Sequence, residues 1–404
     1  SAAWKISNES FLRDVEWVSL LKIRASWGKS GQDNLGSSLY GVYKPSDFKV
    51  TFNNNSTFYI PYLLMSADYP DVSWQKTTMK NIGVDFYLFD DRLSGSFDLY
   101  RNDVTDLLGN ASTSPLAIFS SRPINGAHFY RRGWEITLNS VNLKGKFEWR
   151  TNLTLSRVQQ FWKERMPNYD YQAYQQRDNE PLAAMYYYKI DGYINMDRSN
   201  MPESQKSLQA TAQMPGCPII DDKNGDGVID INDIHMRNTT PDLYMGFGNT
   251  FVYKNFDLDI FMYGQFGAYK YNMALSAAQA GPLVNTPAPN TNKYAYRLWN
   301  SQINPNGTRP GIAYSKMGAL PGGCGVNADM ENASFMRIRN ITLGYTIQGK
   351  LFGPVQKYIK SIRVYFDVQN PFVITKYTGF DPEIYTGQNE ARGQFPQVRS
   401  FSLG

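Results

Sequence analysis

The sequence predicts an all-β protein, a transmembrane antiparallel β-barrel of which this chain supplies about ten strands of a larger barrel. Three observations lead to this fold class. Apolar and polar residues alternate along many segments, short turns and long loops follow one another between those segments, and aromatic residues lie near the segment ends. Alternation with a period of two gives a strand one apolar and one polar face. The aromatic residues in question, at positions typical of interfacial belts, are Trp74, Tyr87, Tyr100, Trp134, Trp149, Tyr253, Tyr345 and Tyr377.

The clearest pair of strands lies in residues 81–108, which read NIGVDFYLFDDRLSGSFDLYRNDVTDLL. Ile82 and Val84 share one parity, and polar residues take the other. After a short Asp-Asp-Arg turn the alternation restarts, with Phe97 and Leu99 on the apolar side. This pattern predicts a β-hairpin with one apolar face.

Further alternating segments follow in order along the chain. They cover approximately 21–30, 74–89, 134–139, 147–155, 243–253, 256–262, 335–347, 362–368 and 395–404. Several reach about ten residues, the length that crosses a bilayer obliquely. The connections on one side are short, whereas the longest on the other side is predicted as a loop over 159–241. We interpret all of 1–404 as barrel, and the abrupt first and last segments suggest a fragment.

Composition narrows the class of protein. The chain has 404 residues, 42% of them hydrophobic, and a formal net charge of +5. A charge this small and this evenly spread argues against nucleic-acid binding. No uninterrupted apolar run approaches the roughly 18 residues of a membrane helix. A soluble β-sandwich or β-propeller would show the same alternation and stays an alternative.

Enzyme motifs are missing from the sequence. The chain contains two histidines, His128 and His235, both in segments whose composition is typical of loops. It has no HExxH, no GxSxG and no P-loop sequence. We therefore predict that it is not an enzyme.

The sharpest local motif reads DKNGDGVIDIND, residues 222–233. It places oxygen donors at the positions of an EF-hand-like calcium loop, with a glycine at the sixth position for the turn. The predicted Ca²⁺ ligands are Asp222, Asn224, Asp226, Val228 through its carbonyl group, Asp230 and Asp233. The twelfth position holds Asp instead of the usual Glu, and the shorter side chain reaches less readily as a bidentate ligand. The alternative is an Asp/Asn/Gly turn without metal, and either form would stiffen a long loop.

Two cysteines, Cys217 and Cys324, lie in predicted loop segments that contain Gly and Pro. An oxidising compartment would allow a disulfide between them, and two free thiols are the equally open alternative.

Several sequence segments occur in the order in which they are found in one protein family. They include LKIRASWGKSGQDN, WQKTTMKNIGVDFYLFDDRLSGSFDLYRNDVTDLL, RRGWEITLNS, DKNGDGVIDINDI, PDLYMGFGNTFVYKNFDLDIFMYGQFG, SFMRIRNITLGYTI and IRVYFDVQNPFVITKYTGFDPE. Together they resemble the C-terminal half of SusC/RagA-type TonB-dependent outer-membrane transporters. The resemblance implies a 22-stranded barrel with an N-terminal plug; the plug and the N-terminal strands are absent from this chain.

The resemblance also implies a function and partners. The family imports oligosaccharides, and sometimes peptides, across the Gram-negative outer membrane. It works with a SusD-like surface lipoprotein as a lid and takes energy from the TonB–ExbB–ExbD complex through the N-terminal part. Alternatives from other classes are a secreted β-rich glycan-binding module with structural calcium and a passive porin.

Aromatic residues in the longest loop are weak candidates for cargo contacts. The run Tyr186, Tyr187 and Tyr188, with Tyr169, Tyr171 and Tyr174 nearby, could stack on sugar rings or dock a lid protein. The alternative is that these rings pack within the core of the loop.

Overall fold

The computed structural model describes residues 1–32, 42–45, 50–51, 58–59, 62–66, 71–113, 121–169, 171–177, 179–272, 296–384 and 395–404. Its main feature is one antiparallel sheet of eleven strands whose spatial order follows the chain. The strands are β1 (Ala2–Lys5), β2 (Val18–Gln32), β3 (Gln75–Leu88), β4 (Leu93–Ser112), β5 (Ser121–Leu143), β6 (Phe147–Glu164), β7 (Leu243–Tyr253), β8 (Phe256–Phe266), β9 (Phe335–Gln348), β10 (Ser361–Thr375) and β11 (Ser400–Leu403).

Short connections lie at one edge of this sheet, which we call the turn edge. The β3–β4 turn needs three consecutive residues with positive φ, Phe89, Asp90 and Asp91. Two of these are Asp, a residue type that tolerates the left-handed region better than most. The β7–β8 turn spans two residues, of which Lys254 has a φ of 54°.

The cross-strand registers give the sheet an apolar and a polar face. One row of directly opposed residues on the apolar face consists of Ile23, Val84, Phe97, Ile136 and Leu155. The neighbouring row on the polar face consists of Lys22, Asp85, Ser96, Thr137 and Thr154. The predicted alternation is therefore maintained across five strands.

Many side chains of the apolar face are more exposed than is favourable in water. Ile82 is 60% exposed, Leu343 49% and Phe366 45%. The hydrophobic clusters of the described residues lie in the long connections instead. A contiguous uncovered apolar surface marks contact with another apolar phase or partner.

The long connections meet at the opposite edge, which we call the loop edge. They contain short two-stranded ribbons: Val42–Pro45 with Tyr62–Ser66, Val50–Thr51 with Phe58–Tyr59, Ala184–Tyr187 with His235–Asn238, Ile190–Tyr193 with Pro218–Ile220, and Tyr269–Tyr271 with Met330–Asn332. The 3-10 helices of the described residues in these connections are Ala173–Gln175, Glu203–Ser207, Ala210–Gln213, Ile231–Asp233, Ile312–Lys316, Pro321–Gly323 and Asn327–Asp329, and two more, Ile6–Asn8 and Gly349–Lys357, lie at the turn edge. Among the residues that the structure describes, no helix has the length and apolar character to span a membrane.

Several features differ from the sequence prediction: β5 begins at Ser121 and not near 134, and β11 is confined to Ser400–Leu403 within the predicted 395–404. Residues 159–164, predicted as the start of the longest loop, continue strand β6 and pair with β5. Tyr377, predicted among the aromatics at strand ends, is 6% exposed and packs with Ala268 and Ala333. Periodicity did not predict the extension of β6, because the sequence of the extension, SRVQQFWKE, does not alternate regularly.

Candidate functional site in the loops and on the polar face

Several long connections pack into one folded unit, which we call the loop region. It comprises the described residues of 165–242, 267–272, 296–334 and 376–384. Its largest buried cluster consists of Tyr174, Tyr188, Leu208, Ala212, Ile220, Ile229, Ile234, Leu320 and Val326. Backbone hydrogen bonds join the same connections: the Tyr188 N–H donates to the Gly325 carbonyl, and the Gly311 N–H donates to the Gly216 carbonyl. The loops therefore have a core of their own.

The tyrosine run lies partly in this core. Tyr187 is 9% exposed and Tyr188 is fully buried. The Tyr188 hydroxyl lies 2.9 Å from the Asp230 carbonyl oxygen and 3.0 Å from that of Pro321, and it donates to this pair of acceptors. Burial raises the pKa of Tyr188 above its usual range. For Tyr187 and Tyr188 the structure favours packing over cargo stacking.

Tyr186 belongs to a charged network. Its hydroxyl donates to Glu180 Oε2 over 2.8 Å, and the Arg165 guanidinium pairs with the same oxygen. Burial, together with this hydrogen bond, raises the pKa of Tyr186. Glu180 is 1% exposed, so its charge depends on Arg165 for compensation. Tyr186 thus has a structural partner in the loop region.

Other aromatic residues of the loop region are accessible. The rings of Tyr169 and Tyr171 lie 4.7 Å apart, and Tyr169 is 54% exposed. With Trp162 and Arg177 they line a cavity of about 340 Å³ at the base of the loop region. Aromatic faces beside cationic and amide groups suit sugars and peptides.

The sequence of 222–233 folds as a chain of side-chain-to-backbone turns. Gly225 and Gly227 have φ values of 72° and 83°, a region that residues with a Cβ rarely adopt. This turn lets both oxygens of Asp222 accept hydrogen bonds, from the N–H of Gly225 over 2.8 Å and of Gly227 over 2.9 Å. Asp226 accepts in the same way from the Val228 N–H over 2.9 Å.

Asp233 anchors this segment to the core. Its side chain is fully buried and accepts from the Lys223 N–H over 2.9 Å and from the Asp230 N–H over 2.8 Å. Asp230 in turn accepts from the Asn232 N–H over 2.7 Å. A buried carboxylate that accepts several amide hydrogen bonds holds a loop in one conformation.

The donor types at the predicted calcium ligands, Asp222, Asn224, Asp226, Val228, Asp230 and Asp233, fit the hard-oxygen preference of Ca²⁺. In the part of the chain that the structure describes, no three or more Asp, Glu, His or Cys side chains converge as a metal site. The carboxylates bond to backbone amides instead. Calcium binding by this loop stays a prediction.

The cysteines are both free in the structure. Cys217 is fully buried, with its Sγ 3.4 Å from the Thr211 carbonyl oxygen, and burial raises its pKa to about 11. Cys324 is half-buried and lies near Tyr174 in a different part of the core. The structure thus contains two free thiols, the second of the alternatives left open by the sequence.

One buried ion pair fastens the segment after β10 to the polar face of the sheet. Arg337 Nη2 of β9 lies 2.6 Å from Asp381 Oδ1, and both side chains are less than 5% exposed. Arg337 Nε also lies 3.0 Å from Glu383 Oε2. The Lys270 ammonium donates to the carbonyl groups of Pro382 and Ile384.

Nearer the turn edge, the polar face carries charges paired across strands. Arg24 lies 2.9 Å from Asp85 and 2.9 Å from Asp98, and Lys22 lies 3.1 Å from Asp85. Arg363 pairs with Asp257 in the same manner. Opposite charges on neighbouring strands of one face stabilise the pairing of those strands.

A cavity of about 700 Å³ opens on the polar face towards the loop edge. Its polar lining includes Glu135, Thr154, Tyr263, Arg339 and Glu383. Arg339 Nη1 lies 3.7 Å from Glu383 Oε1, so opposite charges stand side by side at the rim. Sequence reasoning did not single out Tyr263 or Glu383, because Glu383 reaches the site only through the fold of the segment after β10.

Comparison with known proteins gives relatives of one kind, although no family model matches. A TonB-dependent receptor of Formosa agariphila is 26% identical over 434 residues, covering 100% of this chain and 40% of the relative. The TonB-dependent receptor SusC of Bacteroides thetaiotaomicron is 28% identical over 422 residues, covering 99% of this chain and 39% of the relative. Among solved structures, the RagAB peptide importer in the closed-closed state matches with a TM-score of 0.74 at 20% identity, covering 99% of this chain and 42% of that one.

These comparisons decide three of the predictions. The resemblance to SusC/RagA-type TonB-dependent proteins is confirmed, and so is the all-β barrel fold class. The relatives are receptors and transporters, which confirms that the chain is not an enzyme. The chain spans about 40% of the length of the curated relatives it matches.

Proposed function

We propose that this chain is the barrel portion of an energised outer-membrane importer, which takes up oligosaccharides or peptides. The observation that carries the proposal is the similarity to TonB-dependent receptors along 99–100% of the chain. The two faces of the sheet support it. In a membrane barrel the apolar face meets lipid and the polar face lines the lumen, and the exposed Ile82 and the paired Arg24 agree with this arrangement.

The sheet needs further strands to close. Within the described residues, β1 and β11 each pair on one side only, at opposite ends of the strand order. Unpaired strand edges are not tolerated in hydrocarbon, because no water is available to their amides. This chain corresponds to about 40% of the length of its relatives. Strands from the remainder of a longer protein would complete the barrel.

The partners follow from the same proposal. A SusD-like lipoprotein would cover the loop edge, where the loop region already forms a folded surface. The TonB–ExbB–ExbD complex would supply energy through the N-terminal part. The named RagAB importer carries peptides, so peptides stand beside oligosaccharides as cargo.

We place cargo contacts at the cavity on the polar face. It combines hydroxyl groups with the Arg339–Glu383 pair, groups that can bond to the hydroxyls of a sugar or to the backbone and termini of a peptide. Arg339→Ala should lower uptake several-fold at an unchanged amount of protein in the membrane. Lys144→Ala, at the turn edge, removes the same charge and should leave uptake unaltered.

The experiment that tests the function uses the native full-length protein. Membrane fractionation would be followed by uptake of labelled oligosaccharides and peptides with and without a proton uncoupler. We expect outer-membrane recovery and uptake that collapses on uncoupling. Uptake that ignores the uncoupler would favour a passive porin, and recovery as a secreted soluble protein would favour a glycan-binding module.

Calcium binding by 222–233 is a second, separate proposal. The six predicted donors would supply oxygen ligands, and the ion would stiffen the loop region. Titration of Tb³⁺ luminescence should show binding that Asp226→Ala abolishes and Asp197→Ala, an exposed aspartate outside the loop, retains. Equal luminescence in both variants would contradict the proposal.

A further inference from the structure

The apolar face of the sheet changes character towards the loop edge. The row of Ile82 and Leu99 on β3 and β4 is followed by a row of Lys80 and Arg101. The register continues across β5, where Arg132 stands directly opposite Arg101. Three cationic side chains therefore stand side by side on three neighbouring strands, where the apolar rows end.

A groove of about 960 Å³ lies at this place. Its floor is apolar: Ile82 is 60% exposed, Leu99 49% and Trp27 64%. Trp134 extends this floor onto β5, and Arg157 on β6 stands opposite it. The groove thus combines an apolar floor with a cationic margin.

The cations of the groove are only partly balanced. Arg101 pairs with Asp103 at 3.1 Å and Arg157 with Asp242 at 3.5 Å. Lys80 and Arg132 form no ion pair with any residue that the structure describes, and the Arg132 guanidinium lies 5.3 Å from the centre of the Phe161 ring. Like charges directly opposite on adjacent strands are unfavourable. An anion between them would remove this repulsion.

The arrangement is local. On β9 and β10 themselves the apolar face continues to the loop edge without a cationic row, with Met336 opposite Ile374 and Ile338 opposite Phe372. The single guanidinium of Arg399, just before β11, lies 5.8 Å from the centre of the Phe372 ring. Ile374 is 67% exposed. The basic row is therefore not a general property of this edge and marks one part of the perimeter.

We propose that this groove, the lipid groove, binds a phosphate-bearing membrane lipid. Its acyl chains would lie on Ile82 and Leu99, and its phosphate between Lys80, Arg101 and Arg132. Arginine bonds phosphate through two parallel N–H groups, and a basic residue beside an anionic membrane surface adds attraction. The inference rests on the proposed membrane location of the sheet.

The test uses the full-length protein in an uncharged detergent. Bisphosphorylated lipid A and the same lipid stripped of its phosphates are titrated, and bound lipid is counted by native mass spectrometry. The variant K80Q/R101Q/R132Q should bind the phosphorylated lipid at least about tenfold more weakly than the natural protein. Its binding of the stripped lipid should be unchanged, because the apolar floor is intact.

A matched control removes three charges elsewhere. The three residues changed in the control variant K144Q/K146Q/K357Q lie near the turn edge. This variant should bind both lipids as the natural protein does. R101K/R132K, which retains the charges, should keep most of the affinity for the phosphorylated lipid. Should the triple variant fail to fold, the single variant Lys80→Gln changes an exposed side chain and gives the same comparison.

Three results would overturn the proposal. They are equal binding of both lipids by the natural protein, an equal loss in the control variant, and complete displacement of lipid by inorganic phosphate, which would assign the groove to the free ion. Recovery of the protein without detergent would instead overturn the membrane location. The two failures are thus distinguishable.

Discussion

The sheet and the loop region are stabilised in opposite ways. In the sheet, apolar side chains such as Ile82 and Phe366 point outward and stay exposed. In the loop region, Tyr188, Ile220 and Ile234 are buried almost completely. The loop region thus has a hydrophobic core of its own, whereas the apolar side chains of the sheet are left uncovered.

From this difference we expect single substitutions to lower the stability of the two regions to different degrees. Strand pairing is repeated along every strand, so losing one side chain leaves the ladder of backbone hydrogen bonds intact. The loop region depends on a few buried polar groups that hold irregular backbone in place, and a buried group without its partner is costly. Substitutions in the loop region should therefore unfold it while the sheet persists.

The largest effect is expected at the junction of the two regions. Asp381→Asn leaves the buried Arg337 guanidinium with reduced compensation and should lower the free energy of unfolding of the loop region by about 3 kcal/mol. Hydrogen exchange should accelerate in 376–384 and not in β3 or β4. Asp91→Asn in the exposed β3–β4 turn is the control and should change nothing. Uniform acceleration in both regions would show that they unfold together.

A smaller effect is expected within the loop region. Asp233→Ala removes the acceptor of the Lys223 and Asp230 amides and should cost about 2 kcal/mol. Limited proteolysis should then cut within 222–233 under conditions that spare the natural protein. Asp197→Ala removes an exposed acceptor of the Ser199 amide and should leave the cutting pattern unaltered. Equal resistance of both variants would contradict the anchoring role of Asp233.

The sequence predicts the sheet well because strand physics is local. A period of two, as in Ile82 and Val84, specifies the face of each side chain without knowledge of the rest of the chain. Turn residues such as Asp90 and Asp91 mark where strands end. The basic row of the lipid groove was not seen, because it depends on register between three strands rather than on any one segment.

The loop region was predicted far less well, for a physical reason. Irregular backbone has no period, so the sequence could not tell whether Tyr188 stacks on a ligand or fills a core. Glu383 and Arg339 meet only because the segment after β10 folds back onto the sheet. Contacts between residues that are distant along the chain need the fold to be known first.

Tyr188→Phe tests the core of the loop region more gently. The ring stays, and only the hydroxyl that donates to the Asp230 and Pro321 carbonyls is lost, so we expect about 1 kcal/mol of destabilisation. Tyr169→Phe, at an exposed position, should have no measurable effect. Thermal unfolding followed by near-UV circular dichroism would measure the difference. A larger loss at Tyr169 than at Tyr188 would reverse our assignment of the core.

The smallest expected effect is a difference in thiol reactivity between the loop region and the sheet. Burial raises the pKa of Cys217 to about 11, so the neutral thiol is favoured in the folded state and only about 0.1% is thiolate at pH 8. Alkylation of Cys217 by iodoacetamide should therefore be slow at pH 8 and should rise about tenfold per pH unit up to that pKa. Ser96→Cys places a thiol on the polar face of β4 and should react at the rate of an ordinary thiol. Peptide mass spectrometry gives both rates in one sample. If Cys217 reacted as fast as the thiol in the sheet, the loop region would be opening on the timescale of the experiment, and its core would be less stable than the buried contacts of Cys217 imply.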